Sequence, residues 1–273
     1  MVSVCSDPVL SVRDLRIKIG QQQVVDGLSF DVMPGERVCL LGASGSGKSF
    51  TAKAVLGLLP PSAQVQGSIR IQGQEAIATP ATQRPKNSRV SMVFQDSLSA
   101  LNPLVSIGSQ LREPFIRHHG LSHPAATDAA VALLGSLDLP DPKQLIKRTP
   151  AELSGGQRQR VCIALAMACK TPLMVADEPT TALDVVTQCQ VLRALRQHTE
   201  STASALLFIT HDLHAAALLC QRAVIIEQGT MIESGELDSL ITSPQHPFTQ
   251  TLVAAAHNVQ TPEVVPTDYL KSA

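Results

Sequence analysis

The sequence predicts an α/β fold in which a parallel sheet is wrapped by helices, preceded by an antiparallel β region and interrupted by a helical insertion. Three observations carry this. Strands and helices alternate over residues 157–227. An apolar strand at Val38–Leu41 runs into a glycine-rich loop that opens a helix. Residues 9–19 and 24–33 show strand-like alternation on either side of a polar turn.

Residues 9–19 and 24–33 alternate apolar with polar side chains and are separated by a polar Gly-Gln turn, as in a pair of half-buried strands. Pro34-Gly35-Glu36 marks a turn before the short apolar strand at Arg37–Leu41. A helix is expected over Thr51–Leu59, stopped by Pro60-Pro61. Strands follow at Gly67–Gln72 and Arg89–Phe94. From Ser106 to about Glu152 helix signals dominate, broken by Gly, Pro and His. Then come helix 157–169, strand 173–176, helix 184–198, strand 205–210, helix 212–220 and strand 222–227, with a hairpin turn at Gln228-Gly229. The last fifteen residues show no periodicity and read as a flexible tail.

Composition excludes several classes of function. At 273 residues with 44% apolar content, the chain is long enough to bury a large core. Lys+Arg 22 against Asp+Glu 23 gives a net charge of -1, which is no field for holding duplex DNA. No run approaches the ~18 apolar residues of a membrane-spanning helix. The N-terminus lacks the basic and apolar regions of a signal peptide. Six cysteines are scattered without a Cys-x-x-Cys pair, which fits reduced thiols and a cytoplasmic setting.

The chemistry begins at Gly42-Ala43-Ser44-Gly45-Ser46-Gly47-Lys48-Ser49, which matches G-x-x-x-x-G-K-[ST]. Glycines let the backbone curl around a phosphate chain and turn N–H groups inward, and the following helix adds its positive end. Lys48 can reach the β- and γ-phosphates, and the Ser49 hydroxyl can ligate Mg²⁺. Asp177-Glu178 stands at the C-terminal end of a buried strand, where ligand sites of open α/β sheets lie. Asp177 suits Mg²⁺ coordination and Glu178 suits polarising an attacking water. Alone, such a pair is more often a loop or a helix cap; beside a phosphate loop it reads as catalytic. Leu153-Ser154-Gly155-Gly156-Gln157 opens a second helix with a second anion-binding N-terminus.

These motifs together resemble the nucleotide-binding subunit of an ATP-binding cassette (ABC) transporter, over about 250 residues. The resemblance implies a P-loop NTPase core of RecA-like type, residues 1–258 as one ATP-binding domain, and a helical subdomain inserted at about 105–165. It implies ATP and Mg²⁺ as cofactors, with residues 42–49 holding the phosphates, and Ser49, Gln95 and Asp177 around the metal. Glu178, His211 and Gln95 take the catalytic roles, His211 by a hydrogen bond to the γ-phosphate and Gln95 by sensing metal and water. Ser154, Gly155, Gly156, Gln157 and Asp184 are implied to act on the nucleotide of a second subunit paired head to tail. Read without the resemblance, a lone Gln after a strand is a surface residue and a lone His is satisfied locally. Two positions depart from the pattern. Ile19 stands where many members stack an aromatic ring on adenine, which implies weaker ATP affinity, and Phe50 replaces a small hydroxyl residue after Ser49.

Val93–Pro103 and Ser243–Thr249 resemble the peptide/nickel import subfamily. No Cys follows Cys220, whereas longer peptide-importing relatives carry a Cys-rich extension. With Gly57-Leu58-Leu59-Pro60, this makes the chain most like the nickel-type subunit. His118, His119 and His123 are no part of that argument, since no acid or thiol nearby completes a metal site, and they read as solvated or interface residues. The resemblance implies partners as well: a second ATPase subunit, identical or homologous, two membrane permease subunits and an extracytoplasmic substrate-binding protein, with no nucleic acid. The expected place is the cytoplasmic face of the cell membrane. The sequence leaves open the same ATPase role in a di- or oligopeptide importer, a soluble cassette ATPase outside transport, and a module that closes on ATP without hydrolysing it.

Overall fold

The computed structural model describes residues 7–95, 100–181 and 183–258. The expected tail at 259–273 lies outside them. Strands β1 (Leu10–Ile19), β2 (Gln22–Val32), β4 (Ala63–Ile71) and β5 (Gln74–Glu75) form an antiparallel sheet in the order β2-β1-β4-β5. A six-stranded sheet follows the order β10-β9-β3-β8-β7-β6, built from β3 (Arg37–Leu41), β6 (Val90–Val93), β7 (Leu173–Asp177), β8 (Ala205–Thr210), β9 (Arg222–Glu227) and β10 (Thr230–Glu236). All its pairings are parallel except the β9–β10 hairpin.

The central strands are buried on both faces, so successive residues serve different cores. Cys39 and Leu41 of β3 join one apolar cluster while Val38 and Leu40 join the other. In β8, Leu206 and Phe208 point one way and Leu207 and Ile209 the other. The first cluster lies under the helices; the second is closed by the antiparallel sheet and by α1 (Lys48–Leu56). This layering fixes the phosphate loop, which leaves the C-terminal end of β3 and enters α1.

Between β6 and β7 lie α2 (Ile107–His119), α3 (His123–Ser136), α4 (Pro142–Leu145) and α5 (Gly155–Met167). Then α6 (Val185–Thr202) precedes β8, α7 (Leu213–Leu219) precedes β9, and α8 (Leu237–Thr242) and α9 (Pro247–Asn258) follow β10.

Several boundaries move for identifiable reasons. Helix α1 begins at Lys48 rather than Thr51, directly from Gly47, whose φ of 102 only glycine adopts freely. It stops at Leu56 rather than Leu59, because Gly57 enters the left-handed region and Leu58 N–H bonds back to Lys53 O at 2.8 Å. That glycine cap ends the helix before the prolines are reached. Helix α5 starts at Gly155 rather than residue 157, since Ser154 is its N-cap. Helix α6 runs four residues past 198, to Thr202. Strand β10 completes the hairpin expected at Gln228-Gly229, and α8 and α9 follow where the sequence pattern predicts no element.

Arg84 pins the far end of α1. Its buried guanidinium donates to the carbonyls of Val55 and Ala54 in the last turn, and to Thr79 and Ala76 in the loop beside it. Burial pulls its pKa below the ordinary value, and its partners are helix-end and loop carbonyls.

Candidate active site

Residues 43–45 and 47–50, Gln95, Glu178 and His211 line an open cleft of about 490 Å³ at the C-terminal ends of the parallel strands. Two glycines of the loop are required by close approach. A Cβ on Gly42 would fall 2.2 Å from Ile226 O, and one on Gly47 would fall 2.5 Å from Val24 O. The loop is gripped from outside as well. Gly229 N–H of the β9–β10 hairpin donates to Ser46 O at 3.1 Å, and Asp26 N–H donates to Gly229 O at 2.8 Å.

Lys48 is 5% exposed, and its Nζ donates to Gly42 O and Ala43 O, each at 2.8 Å. Burial pulls its ammonium below the ordinary pKa, while the carboxylates of Glu178 and Asp177 favour the charged form. A desolvated cation held by neutral carbonyls is prepared to trade them for phosphate oxygens. Asp177 is also buried, and the desolvation lifts its carboxyl above the usual range, opposed chiefly by the hydrogen bond from Ser49. Ser49 Oγ donates to Asp177 Oδ1 at 3.4 Å.

Glu178 has a left-handed backbone, φ 46, unusual for a residue with a side chain and costly by about 1–3 kcal/mol. Its N–H donates to Ile209 O at 2.9 Å, and Thr181 Oγ1 donates to its carboxylate Oε2 at 3.1 Å. The other oxygen, Oε1, lies 3.0 Å from His211 Nδ1. His211 leaves β8 just before Asp212, which caps α7 and takes a hydrogen bond from Gln188 of α6 at 3.0 Å. Two successive strands thus deliver an acid and an imidazole to one spot facing the phosphate loop.

The structure brings together residues 42–49, Gln95, Asp177, Glu178 and His211, and leaves the other candidates elsewhere. Ile19 sits at the end of β1, opposite Gln22 and Ala63, and is not among the cleft-lining residues. Phe50 does line the cleft, with Lys53 Nζ 5.5 Å from its ring centre. Ser154, Gly155, Gly156 and Gln157 lie away from the cleft. Ser154 Oγ accepts from Gln157 N–H while Gln157 Oε1 accepts from Ser154 N–H, a reciprocal cap that stiffens the start of α5. Asp184 caps α6 by accepting from Thr187 N–H and Oγ1, and Val185 and Val186 beside it are exposed. Ala182 and residues 96–99 fall outside the described residues. Among the described residues no three His, Cys, Asp or Glu side chains gather as a metal site, so His118, His119 and His123 form none.

Thr181 and Gln159 were missed by sequence reasoning. Thr181 carries no signal of its own; only the turn after Glu178 brings it back to the carboxylate.

The family model for ABC transporters matches residues 25–181, more than half of the chain. The chain belongs to the ABC transporter family. The cassette is 40% identical to the peptidoglycan transport ATP-binding protein YejF of Agrobacterium fabrum over 92% of its own length, though it spans only 47% of that protein. It is 37% identical to the dipeptide transport ATP-binding protein DppD of Bacillus subtilis, covering 91% of this chain and 77% of that one. Among solved structures, the dimeric cassette MJ0796 in a post-hydrolysis state, bound to ADP and Pi, superposes with a TM-score of 0.71 at 25% identity, over 84% of this chain and 98% of that one. The fold is therefore the ABC ATPase fold of the P-loop NTPases, and the cassette is an ATPase by family.

Proposed function

We propose that this cassette hydrolyses ATP to power a peptide importer. The observation that carries the catalytic half is the Glu178–His211 contact at the mouth of the phosphate-loop cleft. Residues 42–49 bind the phosphate chain through backbone N–H groups and the positive end of α1, and Lys48 moves its donors from Gly42 O and Ala43 O to phosphate oxygens. His211 orients the Glu178 carboxylate and presents its other ring nitrogen to the γ-phosphate. Glu178 orients water and takes up its proton as water attacks. The hydroxyl of Ser49, the carboxylate of Asp177 and the amide of Gln95 form an all-oxygen donor set that fits Mg²⁺, and Asp177, buried with a raised pKa, gains most from a cation. That ion would neutralise the charge of the phosphates.

The reading of the cargo changes. The relatives at 36–40% identity bear the names of dipeptide, oligopeptide, D,D-dipeptide and peptidoglycan transport proteins. Nickel, the cargo suggested by the sequence motifs, gains no support from them, and a small peptide takes its place. Gly57-Leu58-Leu59-Pro60, part of the nickel resemblance, has a local structural role in ending α1.

The proposed assembly has a second cassette opposite the first, two membrane permease subunits and an extracytoplasmic binding protein. No helix among the described residues is long and apolar enough to cross a membrane. A peripheral place on the cytoplasmic face suits a subunit that borrows its membrane path from partners. The test is co-purification from membranes, then ATPase assay with binding protein loaded with dipeptide, oligopeptide or nickel. Stimulation by peptide alone is the expected result; stimulation by nickel alone restores the metal, and no membrane-embedded companion removes the transporter role.

A further inference from the structure

One buried side chain joins three parts of the cassette that the mechanism treats separately. Gln159 lies on α5, four residues after Gly155, and is 2% exposed. Its Nε2 donates to Pro179 O at 2.9 Å and to Phe94 O at 3.4 Å. Pro179 follows Glu178, and Phe94 precedes Gln95. The amide has two N–H donors, one for each carbonyl.

We propose that Gln159 is a positioning residue that couples the Ser154–Gly156 end of α5 to both γ-phosphate-facing loops of the same chain. The proposal rests on the ATPase reading above only for its consequence in turnover; the contact itself stands on geometry. Helix α5 moves as a rigid element, because its first turn is locked by the Ser154–Gln157 cap and Arg158 donates to Leu153 O at 2.7 Å. Arg160 ties it further, donating to Asp138 O at 2.8 Å at the end of α3. Gln159 is roughly 6 Å along the axis from Gly155, so a tilt that a ligand imposes on the helix start is felt at Gln159. From there it reaches two peptide groups that need holding. The Glu178 backbone is left-handed and persists only if its surroundings over-determine it. Pro179 O is the next acceptor along the chain. Phe94 O stands one residue before the exposed Gln95, whose side chain lines the cleft. An anion bound at Ser154–Gly156 therefore adjusts Glu178 and Gln95 in the other half of the same molecule.

The experiment compares Gln159→Met, similar in volume but without the donor, and Gln159→Glu, similar in shape but setting a carboxyl against two carbonyls, with the full wild-type chain. Amide exchange should quicken at 94–95 and 178–181 in both variants and stay unchanged at 42–49. With Mg·ATP, kcat should fall about tenfold while the ATP Kd stays within about twofold, as misplacement of a catalytic group without loss of binding requires. Wild-type exchange and turnover in Gln159→Met would overturn the proposal, since the amide would then only fill space. Faster exchange throughout the chain, 42–49 included, would overturn it equally, by making Gln159 a general packing residue. A wild-type chain that binds ATP but never hydrolyses it would sink the ATPase reading instead, and the exchange pattern would still decide the coupling.

Discussion

The phosphate-loop cleft and the Ser154–Gln157 face are both built from helix N-termini, yet they are finished to different degrees. At the first, side chains from two strand ends and one helix converge: Lys48 and Ser49 of α1, Asp177 bonded to Ser49, and Glu178 bonded to His211. At the second, Ser154 and Gln157 satisfy each other, Asp184 satisfies Thr187, and the surface is open. Local caps hold the second face in shape without help from the cleft. The first gathers charged groups around a cleft; the second presents an open, locally satisfied face, and the proposed pairing with another cassette would bring the two together.

The sharpest way to break this contrast is at the finished half. Glu178→Gln should keep ATP binding and cut turnover by at least ~10², read in single-turnover assays; an unchanged rate removes Glu178 from its role. Next comes complementation. Lys48→Ala and Gly156→Asp should each be inactive alone, and mixing them should restore turnover, because a mixed pair joins one sound phosphate loop to one sound Ser154–Gly156 face. A mixture as dead as its parts would place both halves of a site in one chain. A smaller effect concerns adenine. Ile19→Tyr should tighten ATP by roughly 2–10-fold if the ring stacks there, measured by titration calorimetry; unchanged affinity would put adenine elsewhere, in keeping with Ile19 lying outside the cleft lining.

The smallest effect is on stability and depends on pH. Burial raises the Asp177 pKa above its unfolded value of about 3.9. A raised folded-state pKa gives stability that is fully present below the unfolded value and lost as pH rises through the folded one. At neutral pH the Asp177 carboxylate therefore costs stability, and Asp177→Asn should raise Tm by a few degrees, less so near pH 4. The same variant should lose the Mg²⁺ dependence of ATP binding. A lower Tm at pH 7 would mean that its bond from Ser49 outweighs its desolvation.

What the sequence made legible follows from distance along the chain. The phosphate loop, the Asp177-Glu178 pair and the Ser154 cap are short segments whose chemistry is complete within a few residues, and each appears where the sequence puts it. Helix α1 ends three residues short of Leu59 because Gly57 caps it before the two prolines are reached. The residues that went unread act across the fold. Gln159 is one polar residue in a run of Gln and Arg until α5 is laid against β6 and β7, and Arg84 gives no hint that it caps α1 from 28 residues beyond Leu56. The nickel reading went astray differently: it rested on Gly57-Leu58-Leu59-Pro60 and on the lack of a Cys after Cys220, and the first of these reports the local ending of α1 rather than a cargo.

The neighbours of β3 in the sheet are β8 and β9, both contributed by residues after 204. During synthesis the phosphate loop therefore emerges long before the strands that flank it. At about 5–20 residues per second, the gap between β3 and β9 lasts roughly 10–40 s on the ribosome. Throughout that interval an apolar strand stands with both edges unpaired, open to pairing with another chain. Nascent or truncated chains ending before β9 are thus the form of this protein most prone to aggregate, and the cassette becomes able to grip a nucleotide only when its last third has been made.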